Sequence, residues 1–325
     1  MAMQVQPIDI GIDVSKKSLA IVQPDGRDHD REVHCDIDND ARAIRRWLKT
    51  LPGQARLAVE ATGVFHLELI EQAHRAGHTV YVIDGYRLSR YRDSIGMRAK
   101  TDAGDATLLR RYLRREAADL RPWSPPPKGY RALQQLLLRR ARLIQSKTRI
   151  DQSLSGLREL GPSRRALIRH IDQLDALLIK RVRKVLRTQQ WHRSARRIQA
   201  IEGIGEITAA GLVMAFQRGR FASGDAFIAF LGLDVRTRQS GSWRGKEKLS
   251  KKGPPELRRL LYMAAMTARR SPTWAGFYQR YLDPGLSRIQ ALVALSRKLA
   301  RVAYTLLKNE TEYQPGYRRE ACMPT

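Results

Sequence analysis

Along the first stretch of the chain, Ile8, Ile10, Ile12 and Val14 alternate with Asp9, Gly11 and Asp13, the two-residue period of a strand with one buried face. Residues 18–23 are β-prone, Pro24-Asp25-Gly26 is a turn, and residues 27–35 return as a third strand, so the opening reads as a meander. Asn39 or Asp40 caps a helix whose Ile44, Trp47 and Leu48 share one face. Residues 56–60 form a short strand with Leu57 and Val59 on one side. A helix over about 65–76 ends at Gly77, and residues 79–83 supply another buried strand. A helix starting near Thr101 carries Leu108, Leu109, Tyr112 and Leu113, and the proline cluster at 122–127 closes an α/β unit over residues 1–125.

The period then changes. Leu133, Leu136, Leu137, Leu143, Ile144, Ile150, Leu154 and Leu157 recur at helical spacing, Gly161-Pro162-Ser163 interrupts them, and Leu167, Ile171, Leu174, Leu178, Val182 and Val185 resume. This pattern predicts an antiparallel helical hairpin over residues 126–190, either an ordinary packed pair or a coiled-coil dimerisation arm. Residues 191–325 read as a mainly α-helical domain. A Gly203-Ile204-Gly205 turn joins two of its helices, Leu257, Leu260, Leu261 and Ala264 share a face of another, and residues 288–307 form a last amphipathic helix.

Charge narrows the function. Lysine and arginine number 60 against 32 acidic residues, a net +28. A folded chain this cationic repels itself unless a polyanion neutralises it, so nucleic acid is the first partner expected; a membrane surface or ribosomal RNA could supply the same anions. No run approaches the roughly 18 apolar residues of a bilayer span, which predicts no membrane partner. With only Cys35 and Cys322, a disulfide framework or thiolate metal cluster is not expected, and a cytoplasmic location is.

Phosphodiester chemistry on two divalent ions needs oxygen ligands gathered from strand and helix ends. Asp13 ends the first strand, Glu60 ends a core strand, and Asp102 and Asp105, three apart, share a helix face. Each alone has a structural explanation, as a turn residue, an ion-pair partner or a helix N-terminal acid. Together, in so basic a chain, they predict a cation site. Asp9 lies on the same side of the strand as Asp13 but too far along it to share that site.

Farther on, Arg238, Ser240, Ser242, Arg244 and Lys246, with Lys251 and Lys252 after them, make a glycine-broken basic loop suited to phosphate contact. The turn at Gly203 and Gly205 resembles a helix-hairpin-helix element, with backbone N–H groups directed at phosphate; a simple tight helical turn is the alternative. His74 and His78 have no further ligand nearby in sequence, so zinc is not expected. Helical spacing makes Trp274, Phe277, Tyr278 and Tyr281 core residues before base-stacking ones.

Three segments carry a family resemblance: Gly11-Ile12-Asp13-Val14-Ser15-Lys16, Glu60-Ala61-Thr62-Gly63 and Lys100-Thr101-Asp102-Ala103-Gly104-Asp105-Ala106. In order, type and spacing they resemble the motifs of the DEDD transposases of bacterial insertion sequences, a family that includes the Piv-type DNA invertases. The resemblance continues through 201–205, 227–233, the serine loop and 257–265. It implies a catalytic domain of RNase H-like (RuvC-type) fold with Asp13, Glu60, Asp102 and Asp105 as ligands of Mg²⁺, for which Mn²⁺ can substitute. It also implies a serine nucleophile that takes a covalent DNA link, at Ser240 with Ser242 as the rival. By kinship it implies donor and target DNA, an element-encoded guide (bridge) RNA, a homodimer or tetramer, and a nucleoid-associated bacterial enzyme. One subunit's serine loop is expected to meet another subunit's carboxylates across a hairpin-mediated dimer. Two other readings stay open: a RuvC-like hydrolytic nuclease without a covalent step, and a nucleic-acid-binding protein with coincidental acids.

Overall fold

Alternation in the first strand is what organises the N-terminal unit. In a computed structural model, which describes residues 7–25, 31–61, 63–97, 101–236, 239–240, 243–244 and 248–315, the chain divides into units spanning residues 1–125 and 126–325. The first contains β1 (Ile8–Val14), β2 (Ser18–Pro24), β3 (Glu32–Asp38), α1 (Ala41–Leu48), β4 (Ala55–Glu60), α2 (Leu67–Arg75), β5 (Thr79–Ile83), α3 (Gly85–Ser94) and α4 (Asp102–Glu116). Its five strands form one mixed sheet in the order β3-β2-β1-β4-β5. β1 pairs antiparallel with β2 and parallel with β4, and β4 pairs parallel with β5.

Ile10, Ile12 and Val14 point to one face, where they join Leu57, Val59, Ile44, Trp47, Leu69 and Ile70 in a core covered by α1 and α2. Asp40 starts α1 by accepting from the Arg42 and Ala43 backbone N–H groups at 2.7 and 2.9 Å. On the opposite face a smaller core of Ala58, Tyr81, Ile83, Leu88, Leu108, Leu109 and Leu113 seats α3 and α4. The charge-rich helix α3 was not anticipated, because Leu88 is its single buried side chain and leaves almost no apolar period to read.

The second unit contains α5 (Tyr130–Ser153), α6 (Gly161–Thr188), α7 (His192–Gln199), α8 (Glu206–Gln217), α9 (Gly224–Phe230), β6 (Val235–Arg236), β7 (Gln239–Ser240), β8 (Trp243–Arg244), β9 (Lys248–Leu249), α10 (Pro255–Ala268), α11 (Pro272–Leu282) and α12 (Arg288–Asn309). α5 and α6 form the hairpin, tied by Arg140 donating to Asp175 at 2.9 Å and Lys147 to Asp172 at 2.5 Å. Its base does not stand apart. Tyr130, Leu133, Leu137, Val182 and Leu186 share one core with the helices that follow. Farther along, the expected leucine stripe splits: Ile171 is buried, whereas Leu167 and Leu174 are exposed. The serine segment, read above as a loop, contains two pairs of short antiparallel strands, β6 with β9 and β7 with β8. Two-residue strands are too brief for a period to appear in sequence. Among the described residues no helix is long and apolar enough to cross a membrane.

Candidate functional site

The acids of the first unit lie where strand register and one helix start bring them. Ile12 pairs with Val59 across the parallel β1–β4 ladder; Asp13 and Glu60 are the next residues on each strand, and alternation turns both to the α3–α4 face. Glu60 in turn pairs with Ile83 of β5. Thr101 caps α4, its hydroxyl accepting from the Gly104 N–H at 3.1 Å, which puts Asp102 and Asp105 in the first turn.

Gly11 determines how closely α4 approaches. A Cβ built on it would lie 1.9 Å from the Ala106 carbonyl oxygen and 2.5 Å from the Arg110 backbone nitrogen. Only a residue without a side chain lets this helix lie on β1 with Asp105 beside Asp13. Gly11→Ala must push helix backbone outward. It is expected to cost about 3 kcal/mol in urea unfolding, the upper end for overpacking, and to lower DNA cleavage through displaced carboxylates. Unchanged stability and activity would contradict this account.

Electrostatics show that Asp13 feels the other three acids. Burial, and then the charges of Asp105, Asp102 and Glu60, push the Asp13 carboxyl up to about 6. Asp105 is buried and ion-paired with Arg92 of α3. The Glu60 carboxylate lies against Gly85, where an added Cβ would come within 2.4 Å of its Oε1. Among the described residues, no three acidic, histidine or cysteine side chains are drawn together tightly enough to enclose an ion. The acids therefore share one edge of the sheet in an open arrangement. Asp9 stands outside it, held by both arms of the Arg56 guanidinium at 2.6 and 2.7 Å.

Several groups at this edge escaped the sequence reading. Asn39 Nδ2 donates to the Ser15 carbonyl at 2.8 Å and the Phe65 carbonyl at 3.1 Å, joining the loops after β1 and β4. Val64, Phe65 and Tyr86 are exposed apolar side chains following β4 and β5. Arg92 has no periodicity or motif to mark it, and although Gly11 stands in the first strand's motif and Asn39 at an expected helix cap, the contacts of all three are set by tertiary proximity alone.

In the second unit, Ser240 pairs by backbone with Trp243, and Gln239 with Arg244. Arg238, Ser242 and Lys246 lie outside the described residues, and so do the side chains of Ser240 and Arg244. Lys251 and Lys252 are exposed. The segment they occupy is anchored, with Lys251 N–H donating to the Gly232 carbonyl at 3.2 Å, Ser250 donating to the Asp234 carboxylate, and Gly253 packed against Phe230, Leu231 and Gly232.

The two glycines of the 203–205 turn differ. Gly203 has φ +90°, and a Cβ there would sit 2.3 Å from the Ala264 carbonyl of α10. Close helix packing accounts for it without invoking phosphate. Gly205 has open space at the same position and precedes α8. Beside this turn, Glu202 accepts from Thr273, Trp274 and Tyr313 at 2.7, 3.0 and 2.6 Å, which holds its carboxyl below the usual range against the opposing effect of burial. Trp274 and Tyr278 are buried and Phe277 and Tyr281 pack on the same core, as their spacing implied. His78 Nδ1 accepts from the Ala55 N–H at 3.2 Å, a structural role, and His74 packs edge-on against Trp123.

Comparison with known proteins points the same way. A model described as "Transposase", for DEDD transposases, matches residues 10–162, and one described as "Transposase IS116/IS110/IS902 family" matches residues 195–279. The chain is 27% identical to the pilin gene-inverting protein of Moraxella bovis over 322 residues, covering 94% of this chain and 97% of the relative. It is 26% identical to a probable family 20 transposase of Pseudomonas aeruginosa over 344 residues, covering 94% and 98%.

Proposed function

The chain belongs to the DEDD transposases of the IS116/IS110/IS902 family and is an enzyme acting on DNA; from that premise we propose a metal-dependent recombinase that cuts and rejoins strands through a covalent serine link. One observation carries the proposal: carboxylates from β1, β4 and α4 lie at one sheet edge, where burial first and then the charges of the other three push Asp13 up to about 6. Such a set of hard oxygen donors fits a divalent cation. Asp13, Glu60, Asp102 and Asp105 would hold Mg²⁺, or Mn²⁺ in its place. When bound, such ions activate an attacking oxygen and stabilise a leaving one. The strand order β3-β2-β1-β4-β5 supports an RNase H-like reading of the first unit.

Ser240 is the proposed nucleophile. Its oxygen forms a bond to phosphorus as one deoxyribose–oxygen bond to phosphorus breaks; the serine proton is lost to base and the displaced oxygen is protonated. The phosphoserine keeps the bond energy, so strands rejoin without ATP. Arg238, Ser242, Arg244, Lys246, Lys251, Lys252 and the Gly205 turn would hold the nucleic-acid backbone in register. We extend the proposal to a guide RNA, supported by the net +28 charge and by kinship. The test is to purify the protein with its bound nucleic acid and sequence that material. A defined element RNA together with donor or target DNA is the expected finding; DNA alone would remove the RNA part.

Self-association through the hairpin is supported by Leu160, Leu167 and Leu174, exposed and seven residues apart. A Leu167→Glu/Leu174→Glu chain is expected to elute as a monomer where the parent is dimeric, with folding stability changed by less than about 0.5 kcal/mol because neither side chain is in the core. Light scattering coupled to size exclusion decides it, and an unchanged mass would exclude this face.

A further inference from the structure

Among the described residues, three arginine–carboxylate pairs lie on the α4 side of the first sheet, and one differs from the rest. Arg56 grips Asp9 with two hydrogen bonds, at 2.6 and 2.7 Å. Arg110 joins Glu32 at 2.5 Å and also donates through Nε to the Asp9 carbonyl at 3.0 Å. Both guanidinium forks are used, as a structural pair requires. Arg92 reaches Asp105 through Nη2, while its Nε is buried with no hydrogen-bond partner among the described residues. A buried donor left unsatisfied works against stability, so this pair is poorly optimised as a fold-holding contact. Its acid, unlike Asp9 and Glu32, stands in the first turn of α4 at the carboxylate edge. Arg92 projects from α3, whose one fully buried side chain is Leu88 and whose Tyr91 packs edge-on against Tyr112 of α4.

We propose that Arg92 is the resident countercharge of the carboxylate edge: it occupies Asp105 in the cation-free protein and must yield it when a divalent cation arrives. Arg92 is then a positioning residue that sets cation affinity. A buried Asp105 without a partner would add to the repulsion that already acts on Asp13, so the guanidinium neutralises the edge until an ion replaces it. The exchange also accounts for the open arrangement, in which no three ligands are gathered. This inference rests on the four acids being the cation ligands.

The experiment titrates Mn²⁺ into the purified full-length chain at pH 8, stripped of metal and without DNA, following free Mn²⁺ by electron paramagnetic resonance. Arg92→Met is expected to bind Mn²⁺ about tenfold more tightly than the parent, as removal of a competitor at one ligand should. Its melting temperature should fall in EDTA and recover with Mn²⁺. Arg92→Lys, which keeps the charge without the fork, should shift in the same direction by less and serves if Arg92→Met does not fold. In an Asp105→Asn background the gain should vanish. Equal or weaker Mn²⁺ binding by a folded Arg92 variant, or a gain that persists with Asp105→Asn, overturns the proposal. No Mn²⁺ binding by the parent would defeat the carboxylate site itself and this inference with it.

Discussion

Asp13→Asn is expected to abolish DNA strand cleavage, by at least about a thousandfold, while making the metal-free protein more stable at neutral pH. The two effects share a cause. Burial of Asp13, and then the charges of Asp105, Asp102 and Glu60, raise its carboxyl to about 6 against an ordinary 3.8. Because the folded state holds this proton more tightly than the unfolded chain, the contribution of Asp13 to stability is complete below 3.8 and is lost as pH rises through about 6. Asparagine does not titrate, so the variant's advantage should be absent near pH 4 and reach about 1–2 kcal/mol at pH 8, with solvent screening allowed for. Denaturant melts in EDTA at the two pH values measure it. A variant advantage as large at pH 4 as at pH 8, no advantage at pH 8, or retained cleavage would contradict this account of Asp13. By the same linkage, a cation that needs ionised ligands should bind progressively less well below about pH 6.

Ser240→Ala should eliminate any protease-sensitive protein–DNA adduct and lower strand exchange by about a thousandfold or more, since loss of a nucleophile removes the step itself. Ser242→Ala should leave the adduct intact. If Ser242 alone is required, the nucleophile is two residues farther on; if cleavage survives both changes, the reaction is hydrolytic. Mixing Asp105→Asn chains with Ser240→Ala chains adds a separate result. Recovery of activity in mixed oligomers is expected if one subunit's serine serves another's carboxylates, and no recovery would confine both groups to one chain.

The acids were recognisable before any coordinates because each sits at an element end that local pattern predicts: Asp13 after alternating isoleucines, Glu60 after Leu57 and Val59, Asp102 and Asp105 behind the capping Thr101. Their open arrangement was not recognisable. Gly11 reads as one small residue in a strand, yet it alone admits the α4 backbone. Arg92 is one of many arginines in a helix without an apolar period, and only folding puts it on Asp105. The Gly203 turn invited a phosphate reading, and its tight contact with α10, more than sixty residues away, could not be read beside it.

Sequence alone determined the α/β order of the first unit, the helical hairpin, the basic character and the placement of four acids at element ends, since period, capping and charge are local properties that a chain carries unfolded. Tertiary structure decided which charges are buried and which face one another: Asp13 pushed upward by burial and by three carboxylates, Asp105 held by Arg92, and Asp9 claimed by Arg56. Those pairings depend on strand register and on how near a helix can come to a sheet, distances that no run of residues encodes until backbone meets backbone.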